Sequence, residues 1–261
     1  MTILDKIVKR KREIVDINKL HYPVSTLEKG IYFERETYSF KSSLIRANTS
    51  GIISEFKRAS PSKGVINDYA DVEETTMAYA QAGASALSVL TDTEFFGGKN
   101  SDLSRARKHC NIPILRKDFI IDEYQIYEAK AIGADVILLI ASVLTVKEIS
   151  VFTDLAHKLK MEVLLEIHDA SEMDKVSAKE DVIGINNRNL KTFEVNLQQS
   201  INLANSLPQD MVKIAESGIK SIEDIKLLKN AGFSGFLMGE LFMKEENPGV
   251  ACEMFIKNLG L

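Results

Sequence analysis

The sequence predicts an α/β protein built on a single (β/α)8 TIM barrel with extra N-terminal helices. Three observations carry the prediction. From residue 51 onward, short apolar, β-branched runs alternate with longer helical patterns, and the runs begin roughly 20 to 35 residues apart, the length of a strand–loop–helix–loop unit. Eight such runs are present, and eight parallel strands, each followed by a helix, close on themselves. Polar and ionisable residues gather at the C-terminal ends of these runs, the face on which such barrels place their chemistry. Losing one strand from the count would favour an open doubly wound sheet instead.

Residues 1–50 differ from the rest of the chain and form a separate helical extension, leaving 51–261 for the barrel, with no linker between them. Leu4, Ile7, Val8 and Ile14 recur at near-helical spacing and predict an amphipathic opening helix, with Lys6, Lys9, Arg10, Lys11 and Arg12 on its solvated face. A second helix is expected from Ser39 to Asn48. Strands are predicted at 51–57, 85–90, 112–117, 134–140, 162–167, 181–186, 211–216 and 234–239. Helical stretches such as VEETTMAYAQAGA, EYQIYEAKAIGA and IEDIKLLKNAGF separate them. Their closing glycines, Gly83, Gly133 and Gly232, are expected in the left-handed conformation that ends a helix.

Composition narrows the function. With 261 residues and 45% hydrophobic content the chain fills one large core. A formal net charge of -4 offers no global attraction for nucleic acid or an anionic membrane. Cys110 and Cys252 lie far apart without metal spacing and read as reduced thiols. No signal-type segment or long apolar run occurs, so a soluble cytoplasmic protein is expected, monomeric or weakly self-associating. Nothing resembles a dinucleotide fingerprint, a Walker loop, a Ser/His/Asp set or a metal-ligand cluster, so neither metal nor cofactor is expected.

The strand ends are more informative. The first carries Glu55 and Lys57 on one face, with Ser54 and Phe56 on the other. The third ends in Arg116-Lys117-Asp118, the fifth in Glu166, the sixth in Asn186-Asn187-Arg188 and the seventh in Glu216-Ser217-Gly218. Gathered at one mouth, these residues make a mixed-charge pocket. Lysines crowded together and partly desolvated lose proton affinity and can act as acids near neutral pH, with glutamates accepting protons or holding a lysine in place. A salt-bridged collar closing the barrel is the competing structural reading.

Gly218 and Gly239 stand at the turns after strands seven and eight, where barrels commonly bind phosphate through backbone N–H groups. Glu240 would help only through its backbone N–H, its acid side chain pointing away. The loop Arg58-Ala59-Ser60-Pro61-Ser62-Lys63-Gly64 suits either a mobile flap or a surface turn. His168 is a candidate base or a hydrogen-bonded structural residue.

SEFKRASPSKG (54–64), LRKDFI (115–120), EIHD (166–169), GINNRNL (184–190), ESGI (216–219) and FLMGELFM (236–243) resemble, in order, motifs of the indole-3-glycerol-phosphate synthase family. The first two segments are specific; ESGI and the last glycine turn recur in other phosphate-binding barrels. The likeness runs from about residue 50 to 243, and the helical extension is similar to the N-terminal helices that cap the barrel in that family. The resemblance implies conversion of an anthranilate-substituted deoxyribulose 5-phosphate to indole-3-glycerol phosphate, with loss of carbon dioxide and water. It implies that Lys117 is the general acid, Lys57 lies near the reacting carboxylate, Glu166 accepts or relays a proton, and Glu55 orients the lysines. It further implies that Asn186, Arg188 and Ser60 hold the anthranilate, Glu216 and Ser217 support the polar ring, and Phe96, Phe119 and Leu190 wall the aromatic part. Gly218 and Gly239 would hold the phosphate.

Two features depart from that family's pattern. The chain has no tryptophan, and Glu240 stands where several relatives have serine. Three rivals remain at this point: another phosphosugar barrel such as a phosphoribosyl isomerase, a Schiff-base aldolase with one nucleophilic lysine, and a catalytically dead scaffold.

Overall fold

The structure, a computed structural model, describes residues 2–189 and 194–260. Eight parallel strands follow one another around a closed barrel: β1 (Ile52–Phe56), β2 (Ala86–Leu90), β3 (Ile114–Lys117), β4 (Val136–Ile140), β5 (Glu162–Ile167), β6 (Val182–Asn186), β7 (Lys213–Glu216) and β8 (Gly235–Met238). Pairing of Ile52 with Phe236 and of Ser54 with Met238 joins β8 back to β1. All eight predicted strands are present, each within two residues of its expected ends.

Strand alternation sorts the apolar residues into two layers. Ile52, Leu87, Val89, Ile137, Leu139, Val163 and Leu165 point outward into the shell of helices. Ile53, Leu115, Leu138, Leu164, Ile214 and Leu237 fill the barrel interior. Around the outside run α4 (Val72–Gln81), α6 (Asn100–His109), α7 (Tyr124–Ile132), α8 (Val146–Lys158), α9 (Leu197–Ala204), α10 (Ile222–Asn230) and α12 (Pro248–Asn258), while the short α5 (Thr93–Phe96) and α11 (Glu240–Met243) bring residues to the mouth. A 3₁₀ turn at Ala170–Lys175 follows β5. Gly83, Gly133 and Gly232 have φ of +92°, +98° and +86°, the left-handed conformation expected at these helix ends.

The extension uses three helices, α1 (Ile3–His21), α2 (Val24–Leu27) and α3 (Phe40–Ile45), to close both ends of the barrel. Phe40 and Leu44 of α3 join the interior cluster and plug the N-terminal end. The helix is shorter than the expected Ser39–Asn48 because Arg46 turns to extended backbone, with ψ 143°. At the other end α1 lies over the mouth, where Ile3, Leu4 and Ile7 line the central cavity. Its buried positions Ile7, Lys11 and Val15 are spaced by four. Lys11 therefore does not sit on the solvated face expected for it: its Nζ meets Asp92 at 2.8 Å, just beyond β2, and Asp118 at 2.7 Å, just beyond β3. No described helix is long and apolar enough to cross a membrane.

Candidate active site

β1 directs Glu55 and Lys57 into the mouth, with Lys57 Nζ 2.7 Å from Glu55 Oε1. Ser88 of β2 donates to Glu55 Oε2 at 3.1 Å. The intervening residues face outward, Ser54 to Cys252 at 3.2 Å and Phe56 beneath the Arg58 guanidinium. β3 repeats the device. Arg116 points outward into a buried network with Glu128, Asp118 and Thr91, so Lys117 points inward. Its Nζ donates to Glu166 Oε2 of β5 at 3.0 Å and to Glu216 Oε2 of β7. Asn186 of β6 donates to Glu166 Oε1 at 3.3 Å.

A cavity of about 190 Å³ gathers Glu55, Lys57, Lys117, Glu166, Asn186 and Glu216, with Ser60, Arg188, Ser217 and Glu240 nearer its rim. Phe96 and Phe119 form one apolar wall, their ring centroids 5.9 Å apart. Gly218 and Gly239 line an adjoining cavity of about 420 Å³, with Ser217 and Lys220. Leu190 lies outside the described residues.

The electrostatics correct one expectation. The lysines are not crowded by each other; each is paired with carboxylate. Burial alone would lower the proton affinity of Lys117, but Glu166, Glu216 and the more distant Glu55 outweigh it and hold the ammonium well above the ordinary lysine range. Glu166 is likewise opposed by burial, yet Lys117 and His168 hold it well below the usual carboxylate range. Glu216 goes the other way, pushed up to about 8 by burial that its Lys117 contact does not offset, with Glu166 adding to the rise.

Glycines make room for the two acids. A Cβ on Gly184 would sit 2.3 Å from Glu216 Oε1, and one on Gly239 would sit 2.8 Å from Glu55 Oε1. Gly184→Ala is therefore expected to displace Glu216 and lower kcat/KM by about 10²-fold, with the far-UV circular dichroism unchanged. The turn after β7 carries positive φ at both Ser217 (67°) and Gly218 (72°), and Asn187 braces it by donating to the Ser217 carbonyl at 2.7 Å. Glu240 stands at the start of α11, beside the glycine turn after β8. Its carboxylate reaches across the rim to Lys63 at 3.2 Å and lies 3.9 Å from Arg188, while Arg188 also donates to Ser62 at 3.2 Å.

Lys11, Ser88, Gly184 and Glu172 escaped the sequence reading. Only Lys11 had a usable signal, its four-residue spacing from the buried Ile7 and Val15. Among the described residues no group of His, Cys, Asp and Glu is arranged to hold a metal ion.

A closed eightfold barrel with ionisable side chains converging at its C-terminal mouth is the architecture of a (β/α)8-barrel enzyme. Two solved structures from Pyrococcus furiosus share this fold. Thiamine phosphate pyrophosphorylase matches with TM-score 0.60 and 14% identity, over 85% of this chain and 99% of its own. A chain of the tryptophan synthase α2β2 complex matches with TM-score 0.59 and 13% identity, over 82% and 99%. Sequence likeness is far more specific. The family model described as indole-3-glycerol phosphate synthase matches residues 4–255. The indole-3-glycerol phosphate synthase of Bacteroides thetaiotaomicron is 49% identical over 255 residues, covering 98% of both chains. That of Alkaliphilus metalliredigens is 42% identical over 248 residues, covering 95% of both. The chain belongs to the indole-3-glycerol phosphate synthase family.

Proposed function

We propose that the protein carries out this family's ring closure, converting 1-(2-carboxyphenylamino)-1-deoxyribulose 5-phosphate to indole-3-glycerol phosphate, with Lys117 as general acid. The observation that carries the reading is a buried ammonium held between Glu166 and Glu216 at the centre of the mouth. The aromatic carbon bearing the carboxylate attacks the ketose carbonyl carbon. The oxygen takes a proton from Lys117 and becomes a hydroxyl. Carbon dioxide then leaves, its bonding electrons restoring the aromatic ring. In the last step Lys57 gives a proton to the departing hydroxyl, which leaves as water, while Glu166 takes a proton from the ring carbon beside the nitrogen, and the C–H electrons form the double bond that completes the indole. No step calls for an electron sink or a metal.

Charge complementarity supports the placement of substrate. Lys57, Lys117 and Arg188 oppose a substrate carrying both a carboxylate and a phosphate. Lys57, steadied by Glu55, faces the departing carboxylate; Asn186, Arg188 and Ser60 hold the anthranilate between the Phe96 and Phe119 walls. The phosphate is received by backbone N–H groups around Gly218 and Gly239. A Schiff-base aldolase needs a neutral lysine to attack a carbonyl, and carboxylates at both sides of Lys117 favour an acid over a nucleophile. We place the enzyme in the cytoplasm, where the free and buried Cys110 and Cys252 stay reduced.

The test is a fluorescence assay for indole-3-glycerol phosphate from this substrate, run with a chelator and no added cofactor. Turnover is expected. A folded protein that gives none, yet isomerises a phosphoribosyl substrate, overturns the ring-closing reading.

A further inference from the structure

The two carboxylates on Lys117 are chemically alike but differently surrounded. Glu166 has His168 two residues further along the chain, its Nε2 3.0 Å from Glu166 Oε1. On the far side of the same ring, Nδ1 lies 3.6 Å from Glu172 Oε2. Glu172 sits on the 3₁₀ turn after β5 and accepts from the backbone N–H of His168 at 2.7 Å. It is buried and does not line the cavity. Glu216 has no such neighbour, and its Oε1 is buried without a hydrogen-bond partner.

A neutral imidazole has one N–H and one bare nitrogen, so facing a carboxylate at each side it would set a lone pair against one of them. The doubly protonated ring suits both. The 3.0 Å and 3.6 Å contacts set one ring nitrogen against each acid, so the charged ring opposes both carboxylates.

We propose that His168 is a positioning residue that sets apart the two acids flanking Lys117, keeping Glu166 ionised as the proton acceptor and leaving Glu216, which lacks a second cationic neighbour among the described residues, the more readily protonated of the two. The proposal rests on the ring-closing reading above and divides its proton transfers. Two acids whose surroundings separate their proton affinities are what an acid–base pair requires. The ionisable groups facing this pair are Lys117 from β3, Glu55 from β1 acting through Lys117, and His168 with Glu172 behind it. Burial alone would lower His168, but Glu166 and Glu172 together raise it to about 10, so the cation persists across the neutral range.

His168→Gln puts a neutral amide in place of the cation. Its kcat is expected to fall about tenfold with little change in KM, and the acid limb of its pH profile to move up by about one unit as Glu166 takes a proton more readily. An alkaline limb is expected from Glu216, whose proton affinity burial raises, and Glu216→Gln should remove it. A histidine that serves only packing would change thermal stability and leave both limbs in place, and that result overturns the proposal. Should His168→Gln not fold, ¹⁵N NMR of the parent's imidazole decides. A doubly protonated ring at pH 7 to 8 is expected, and a neutral tautomer refutes the assignment. This readout needs no turnover, so it stands apart from failure of the ring-closing activity.

Discussion

Lys117→Met is expected to lower kcat by about 10²- to 10⁴-fold, the contribution of a well-placed general acid. The side chain reaches the centre of the mouth on the strength of strand alternation alone, with Arg116 and Asp118 on either side consumed by outward contacts. Methionine preserves length and bulk while removing the proton. Lys117→Arg separates charge from acidity: guanidinium keeps the cation between Glu166 and Glu216 but holds its proton too tightly to give it up. Both variants should therefore lose kcat, whereas KM should rise more in Lys117→Met, where the positive charge opposing the substrate is gone. Steady-state fluorescence kinetics with circular dichroism on each variant makes the check. Near-parental turnover in a folded Lys117→Arg protein would remove Lys117 from the proton transfer. Since Glu166 and Glu216 hold the ammonium above the ordinary lysine range, deprotonation of Lys117 should not limit the parent at neutral pH.

The barrel was legible because its strands are buried on both faces and therefore read as continuous apolar, β-branched runs. The period of two put Glu55 with Lys57 on one face of the first strand, whereas Lys117 was marked out from its neighbours only by the family resemblance. What alternation does not show is who faces whom across the barrel. The partners of Lys117 lie 49 and 99 residues further along the chain, so its proton affinity was expected to fall when it rises. Gly184 gave no sign of its purpose for the same reason: the atom it makes room for belongs to the next strand. Lys11 was misplaced because a lysine in a basic stretch is ordinarily solvated, and only Asp92 and Asp118 at the strand ends make its burial favourable.

The largest effect on stability is expected at Asp135, which no reading of the sequence marked. It lies just before β4, fully buried, and ties the extension to the barrel. Its Oδ1 receives Arg35 Nη2 at 2.6 Å and the Tyr38 backbone N–H at 2.8 Å. Its Oδ2 receives Arg107 Nη1 at 2.6 Å and the Ile114 N–H at 2.8 Å. Asp135→Ala leaves the buried Arg107 guanidinium without its counter-charge and two backbone donors unsatisfied, a loss of about 3–5 kcal/mol. Asp135→Asn should cost nearly as much, because its NH₂ must face donors on one side or the other. Arg35→Ala removes a partner that is 22% exposed and leaves Arg107 in place, so about 1 kcal/mol is expected. Denaturant midpoints at constant m-value measure all three. The folded fraction of each variant should keep its kcat, because the site lies at the opposite end of the barrel, beyond the interior layer that Phe40 and Leu44 close. A midpoint for Asp135→Ala no lower than that of Arg35→Ala would show that the carboxylate is not the tie between extension and barrel.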